Sequence, residues 1–196
     1  MSIFSCKNGE KYTLQGMIAY ITDPTKTTPN YIFTTGTDME NMLRDALFIQ
    51  LLFYDAEWSH KNKAYVQFIT TLSENDISST SLSRFCQYIT TLHWILSRWA
   101  GLPQAEFQVI TAIHFDKSPI YHAHTIIPTI SAKDGHIFPW ENKHFWLLRN
   151  LVNQLLIYYG FTRIEDERLN ERSRLPKYFP PPIGNGNEKE DVVCHV

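Results

Sequence analysis

Three of the eight histidines in this chain, His114, His122 and His124, lie close together in the sequence. Side chains two residues apart on a strand point to the same face, so His122 and His124 would share one face. If residues 117–119 form the turn of a β-hairpin, His114 lies directly opposite His122. Three imidazoles would then converge and leave coordination positions open for substrate oxygens, as in a catalytic metal centre. The competing interpretation is that each histidine is simply hydrogen-bonded in the core.

The chemistry of the donor set limits the metal. Three neutral imidazoles suit manganese, cobalt, nickel or zinc better than magnesium. A substrate phosphate that completes the coordination shell also makes Mg²⁺ workable, and we expect Mn²⁺ or Mg²⁺. Asp116 follows His114 by two residues. Its carboxylate would orient an imidazole nitrogen as an outer-shell partner, or it would only stabilise the turn; spacing alone leaves both roles open.

The remaining histidines show no comparable convergence. His93 lies inside an apolar helical segment, and we expect it to be a hydrogen-bonded core residue. His136 follows an Asp-Gly turn, and we expect it to remain outside the site. His60 lies in a polar turn and is expected to face solvent.

Hydrophobic periodicity predicts the elements that must position these residues. We expect helices at residues 13–22, 38–55, 80–99 and 142–159, and strands at residues 2–6, 31–35, 63–72, 107–116 and 120–130. A Ser/Asn/Asp-rich loop is expected after the third strand. This order predicts an α+β fold in which helices pack on an antiparallel sheet of about five strands, in two or three layers.

Composition narrows the class of protein. The chain has 196 residues, of which 43% are hydrophobic and 19% charged, so it should fold into one domain. Its net charge of -2 argues against a dedicated duplex-DNA binder, although a bound cation adds local charge that composition does not show. We expect a folded domain at 1–175 and a Pro/Gly-rich mobile tail at 176–196. The three widely spaced cysteines are typical of reduced thiols, and no signal peptide or membrane span is evident, so we expect a cytoplasmic protein.

Three segments resemble the motifs of the relaxase/mobilisation nuclease family, a branch of the HUH (histidine, hydrophobic residue, histidine) endonucleases. His114-Phe-Asp116, His122-Ala-His124 and residues 131–138 resemble its third motif. Residues 18–27 resemble the first motif, which holds a tyrosine nucleophile, here Tyr20. Residues 68–76 resemble the second, whose serine approaches DNA near the cut, here Ser73. The resemblance covers about residues 2–162 with the motifs in the family's order.

The resemblance implies a metal-dependent transesterase. Such an enzyme nicks one strand at an origin of transfer, stays attached to the 5′ end through a phosphotyrosyl bond, and later reseals the strand for conjugation or mobilisation. Its partners would be single-stranded origin DNA, accessory relaxosome proteins and a coupling protein. The implied site consists of Tyr20, Asp116 and Ser73 as catalytic residues, His114, His122 and His124 as metal ligands, and Lys26 and Ser73 as DNA contacts.

Several features depart from the family or leave alternatives. The spacer Ala123 is smaller than usual, the net charge is acidic, and many relaxases continue into further domains. A rolling-circle replication initiator or a transposase would instead use a tyrosine on a later helix, such as Tyr158 or Tyr159. Tyr12 and Tyr31 are further candidate nucleophiles. An inactive DNA-binding accessory protein, or a metal hydrolase of small molecules, would also fit some of these residues.

Overall fold

The computed structural model describes residues 3–8, 13–53, 64–99, 107–117, 120–138 and 142–164. Its elements confirm the predicted order, with one added helix and one added short turn. They are β1 (Ile3–Asn8), α1 (Leu14–Ile21), a 3₁₀ turn (Pro29–Tyr31), β2 (Ile32–Thr35), α2 (Met42–Phe53), β3 (Tyr65–Thr71), α3 (Glu74–Ser79), α4 (Leu82–Trp99), β4 (Val109–His114), β5 (His122–Pro128) and α5 (Asn142–Tyr158).

The five strands form one antiparallel sheet in the order β1-β3-β5-β4-β2. β5 is therefore the central strand, with β3 on one side and β4 on the other. The β4–β5 register places His114 directly opposite His122 and Ala112 opposite His124. This confirms the predicted hairpin pairing, and it puts the histidines at one end of the two inner strands.

The sheet is covered on both faces, so the fold has three layers. Alternate side chains of β4 and β5 enter two separate cores, because successive residues of a strand point to opposite faces. One core lies under α1 and α2 and includes Ile110, Ala112 and Ile126. The other lies under α4 and α5 and includes Ile113 and Ile127. Every residue of β4 and β5 is buried as a result. Each buried isoleucine contributes roughly 1.5–3 kcal/mol through the hydrophobic effect.

Helix α1 is fixed by a cap at each end and by one apolar face. The Thr13 hydroxyl accepts a hydrogen bond from the Gly16 amide at 3.0 Å, as expected for an N-cap. At the other end, the amide and hydroxyl of Thr22 both donate to the Ile18 carbonyl. Buried side chains recur at helical spacing and face the sheet: Leu14, Met17, Ile18 and Ile21. The helix therefore ends at a defined point above the sheet.

Helix α3 was not predicted, because we expected a loop after the third strand. The Ser73 hydroxyl donates to the Asp76 carboxylate at 2.5 Å and accepts from the Asp76 amide at 3.2 Å. Ser73 thus caps the helix, and the polar residues that suggested a loop instead start a helical turn. Asp76 also accepts hydrogen bonds from the amide and the hydroxyl of Thr162. This network joins α3 to the segment after α5.

Helix α5 ends at Tyr158, one residue before the predicted end, and is followed by Gly160, whose φ of +69° lies in the left-handed region that glycine adopts without strain. The proposed boundary between 175 and 176 lies outside the described residues, so the division into domain and tail stays a prediction. Cys86 is buried, while Cys194 lies outside the described part. None of the described helices is long and apolar enough to cross a membrane.

Candidate active site and metal centre

The three histidines converge on the face of the sheet that lies under α1. One ligand nitrogen from each comes within 4.8 Å of the others, and all three side chains are buried. Their ring centroids are separated by 4.6 Å between His114 and His124, 5.1 Å between His122 and His124, and 5.2 Å between His114 and His122. The geometric prediction made from hairpin register is therefore confirmed.

The proton position of His114 is fixed by the backbone of α1. Its Nε2 lies 2.9 Å from the carbonyl oxygen of Ile21, and a carbonyl can only accept a hydrogen bond. The proton of the neutral ring must therefore be on Nε2, which leaves a lone pair on Nδ1. That Nδ1 is buried and has no hydrogen-bond partner among the described residues. Burial lowers the pKa of His114, although the Ile21 carbonyl and Asp116 act in the opposite direction.

His122 has a similar environment beside the predicted carboxylate. Its Nδ1 is buried, and no hydrogen-bond partner for it occurs in the described part of the chain. Burial lowers its pKa, His114 lowers it further, and Asp116 raises it. The Asp116 Oδ1 lies 3.9 Å from the His122 Nε2, which is too long for a hydrogen bond but close enough for electrostatic attraction. The structure thus places Asp116 beside the site, and its catalytic role stays a prediction.

His124 is held from the neighbouring strand by a residue that sequence analysis missed. The amide nitrogen of Gln67 lies 2.9 Å from His124 Nδ1, and Gln67 is only 5% exposed. Since Gln67 engages Nδ1, Nε2 is the nitrogen with which His124 would bind a metal. Because successive side chains of a strand alternate between faces, Gln67 points to one face of the sheet. Its partner could not be found, because the register between β3 and β5 is not encoded in a local pattern.

These donors fit a divalent cation. A buried polar nitrogen without a partner costs about 1–3 kcal/mol, and a cation bound between the rings would offset that cost. The lowered pKa values of His114 and His122 favour neutral imidazoles, which are the form that binds metal. The described residues contain one group of histidine, cysteine or acidic side chains with metal-binding geometry, and it is this one.

Tyr20 is the tyrosine that the described structure brings to the histidines. Its ring centroid lies 5.6 Å from that of His114 and 5.5 Å from that of His124, edge-on in both cases. Tyr20 is 40% exposed, so its side chain is not part of the core under α1. It directly precedes Ile21, whose carbonyl binds His114, and this contact fixes the end of α1 to the metal centre.

Lys26 lies over the Tyr20 ring. Its Nζ is 3.7 Å from the ring centroid and 3.6 Å from the Asp23 carboxylate. The backbone carbonyl of Lys26 accepts a hydrogen bond from the Phe115 amide at 2.8 Å, which ties this loop to the end of β4. A cation over an aromatic face is attracted by the ring, so the ammonium group has a defined place beside the phenol.

Ser73 occupies a different environment from the one expected of a DNA contact. It lies two residues beyond Thr71, which pairs with His122, so it is at the histidine end of the sheet. However, the side chain is only 3% exposed, and its hydroxyl donates to Asp76. The structure therefore shows a helix cap, and the DNA-binding and catalytic roles of Ser73 stay predictions.

The described alternative nucleophiles pack against other residues, and the hydroxyl of one of them is hydrogen-bonded. The Tyr159 hydroxyl is 2.7 Å from the Thr91 hydroxyl and also donates to a backbone carbonyl of α4. Tyr158 and Tyr159 both pack against the core on the opposite face of the sheet. Tyr31 packs against Phe115. Tyr12 lies outside the described residues.

The other histidines behave largely as predicted. Both ring nitrogens of His93 are hydrogen-bonded, to Thr111 at 2.8 Å and to Thr35 at 2.9 Å, which confirms a core residue. Burial lowers its pKa to about 4. His136 is hydrogen-bonded to Asp134 at the turn, outside the metal-binding group. His60 lies outside the described residues.

Comparison with known proteins identifies the class. A family model for a MobA/VirD2-like relaxase nuclease domain matches residues 20–161, which is more than half of the chain. The chain therefore belongs to the MobA/VirD2-like relaxase nuclease family, and it is a DNA-nicking enzyme of that class. A search of curated proteins finds no match to the sequence.

Among solved structures, the chain is similar to the MobM relaxase domain (MOBV; Mob_Pre). The Mn-bound complex with 23 nucleotides of plasmid pMV158 oriT DNA aligns with a TM-score of 0.60 at 10% identity, covering 89% of this chain and 93% of that one. The complex with 26 nucleotides of the same DNA aligns with a TM-score of 0.59 at 12% identity, covering 89% and 95%. At such low identity the likeness shows a shared fold, and it confirms the predicted α+β architecture.

Proposed function

We propose that this relaxase nicks one DNA strand at an origin of transfer by attack of Tyr20, and that it later reseals the same strand. The observation that carries the proposal is the half-exposed phenol of Tyr20 edge-on to two of the three converging histidines. The MobM domain, which shares the fold, was solved with oriT DNA and with manganese. These facts support single-stranded origin DNA as substrate and a divalent metal, Mn²⁺ or Mg²⁺, as cofactor.

The reaction is a transesterification at phosphorus. The Tyr20 hydroxyl oxygen forms a bond to the scissile phosphorus while the bond from phosphorus to the 3′ oxygen breaks. The phenol proton leaves to solvent, and the departing 3′ oxygen takes up a proton from solvent and is released as a hydroxyl. The 5′-phosphotyrosyl ester keeps the free energy of the broken phosphodiester, so the reverse attack reseals the strand without ATP. A water nucleophile would lose that energy, which is why a covalent tyrosine suits the task.

Attack by Tyr20 requires surroundings that stabilise the negative charge of the transition state. A phenol has an ordinary pKa of about 10, so at neutral pH it is a weak nucleophile. Tyr20 also lies in the last turn of α1, where the helix dipole is negative and opposes a phenolate. The ammonium group of Lys26 counters that dipole at short range. A cation held by His114, His122 and His124 would supply Lewis-acid polarisation of the scissile phosphate.

The remaining assignments follow from position. We assign Asp116 the role of orienting His122, since the carboxylate lies near its ring. Lys26 would contact a DNA phosphate as well as Tyr20, and Ser73 would approach the strand near the cut from the same end of the sheet. Accessory relaxosome proteins and a coupling protein would act with the chain in the cytoplasm. These partners are inferred from the family alone.

The decisive experiment traps the covalent intermediate. Single-stranded oligonucleotides tiled across the element that encodes the chain, labelled at the 3′ end, are incubated with protein and Mn²⁺. We expect a labelled adduct that resists denaturing electrophoresis. Tyr20→Phe should abolish the adduct, while the control Tyr31→Phe should retain it. An adduct that persists in Tyr20→Phe would overturn the nucleophile assignment.

Two other results would select the alternative functions. An adduct that maps to Tyr158 or Tyr159 would favour a replication initiator or transposase, although the Tyr159 hydroxyl is already hydrogen-bonded within the core. Binding of the oligonucleotides without cleavage at any sequence would favour an inactive accessory protein.

A further inference from the structure

Gln67 and His124 are diagonal neighbours across β3 and β5. Gln67 pairs with Ile126, and His124 pairs with Ile69, so Gln67 and His124 are offset by two residues on one face of the sheet. The side chains meet at 2.9 Å between the Gln67 amide nitrogen and His124 Nδ1. Both residues are buried, so this contact is protected from competing water.

The direction of this hydrogen bond decides whether His124 can bind a metal. When the amide N–H donates to Nδ1, the neutral ring carries its proton on Nε2, and a protonated nitrogen has no lone pair for a cation. When the amide is flipped, so that its nitrogen and oxygen exchange places, the oxygen accepts from Nδ1–H, and Nε2 carries the lone pair. The amide nitrogen and oxygen are nearly equal in size, so this exchange needs no repacking. A glutamine side chain can therefore form a hydrogen bond with either neutral tautomer of His124.

We propose that Gln67 is a positioning residue that sets the tautomer of His124, and that metal loading reverses its amide. This inference rests on the metal centre of the proposed function. His114 contrasts with His124, because the Ile21 carbonyl can only accept and so keeps His114 in its metal-binding tautomer at all times. His114 and His124 thus differ in whether the group that contacts the ring permits one tautomer or both. Outer-shell partners of this kind orient the ligand ring and tune its affinity for the ion.

The first test measures affinity for Mn²⁺ by titration with electron paramagnetic resonance detection of the free ion. Gln67→Met, which removes the acceptor at similar volume, should weaken Mn²⁺ binding by about 10- to 100-fold. Gln67→Glu, which offers an acceptor in every orientation, should bind Mn²⁺ at least as tightly as the unsubstituted protein. The matched control is Gln108→Met, since Gln108 is an equally buried amide that precedes β4 at the end opposite His114.

The second test reads the tautomer directly. Nitrogen-15 NMR of the histidine rings should show His124 protonated on Nε2 without metal and on Nδ1 with Zn²⁺, a diamagnetic probe. His114 should remain protonated on Nε2 in both states. A tautomer of His124 that is the same with and without Zn²⁺ would overturn the amide reversal. Circular dichroism of each variant confirms folding, and if Gln67→Met does not fold, Gln67→Glu and the NMR measurement decide the question.

Failure of this inference is distinguishable from failure of the proposed function. If His124→Ala loses Mn²⁺ binding while Gln67→Met keeps full affinity, the role of Gln67 is refuted and the metal centre stands. If the unsubstituted protein binds no Mn²⁺ in the same titration, the metal centre and the Gln67 inference are refuted together.

Discussion

His93 should make the free energy of unfolding depend on pH in a defined window. It is 7% exposed, and its ring is enclosed by hydrogen bonds to Thr111 and Thr35. Thr111 in turn bonds Thr125 at 2.8 Å, so this network links β4 to β5 on the face opposite the metal centre. A charged imidazole would have to be accommodated in this nearly dry environment. Burial therefore lowers the pKa of His93 from 6.5 to about 4.

The size and sign of the effect follow from proton linkage. Between pH 6.5 and about pH 4 the unfolded chain binds a proton at this position and the folded chain does not. The stability that comes from keeping His93 neutral is therefore fully present above pH 6.5 and is lost as the pH falls through this window. Each unit of difference corresponds to about 1.4 kcal/mol, so the total loss attributable to His93 is about 3 kcal/mol. Below the folded-state pKa the loss should level off.

The assay is urea unfolding of the wild type and of His93→Gln between about pH 8 and pH 3.5, with a chelator present. Glutamine preserves polar contacts at similar volume but does not titrate. The difference between the two free energies of unfolding cancels the contributions of the other histidines. We expect this difference to change by about 3 kcal/mol across the window. A difference that stays flat from pH 6.5 to pH 4 would show that His93 is not held neutral in the fold.

Three further predictions concern other parts of the structure. Gln108→Met should raise the free energy of unfolding by about 1–3 kcal/mol, because neither polar atom of the buried amide has a hydrogen-bond partner among the described residues; a lower melting temperature would contradict this. Affinity for Mn²⁺, measured by calorimetry, should hold constant from neutral pH to pH 6.5 and decline only below it, since the pKa values of His114 and His122 are lowered; a decline that begins above pH 7 would refute neutral buried ligands. Lys26→Met should slow adduct formation at Tyr20 by about tenfold, which corresponds to about 1.4 kcal/mol, because the ammonium group that it removes lies 3.7 Å from the centre of the Tyr20 ring. The melting temperature should change little, and an unchanged single-turnover rate would exclude an electrostatic role.

The sequence was sufficient to predict the geometry of the histidines because that geometry depends on a local pattern. The period of a strand and the short segment between two paired strands determine which side chains of a hairpin face each other. His114 and His122 are consequently opposed, as predicted. The cap at Thr13 and the apolar spacing of α1 likewise predicted the helix that carries Tyr20.

Features that depend on contacts between distant segments of the chain could not be predicted from local sequence patterns. Gln67 is 57 residues from His124 in the sequence, and only the pairing of β3 with β5 brings them together. The expected loop after β3 was wrong because Ser73 and Asp76 bond to each other and to Thr162, which lies 86 residues from Asp76. Polar residues of this type favour both turns and helix caps, and a tertiary partner decides between them.

The hydrogen bond from His114 to the Ile21 carbonyl limits where the length of this chain can change without loss of cleavage. It anchors Ile21, which immediately follows Tyr20, the proposed nucleophile. Shifting Tyr20 by a single position along α1 would swing its ring by about 100° around the helix axis. Insertions or deletions within the helix should therefore abolish strand cleavage even where the fold is retained. Changes in length should be tolerated only upstream of the Thr13 cap, where they leave this spacing intact.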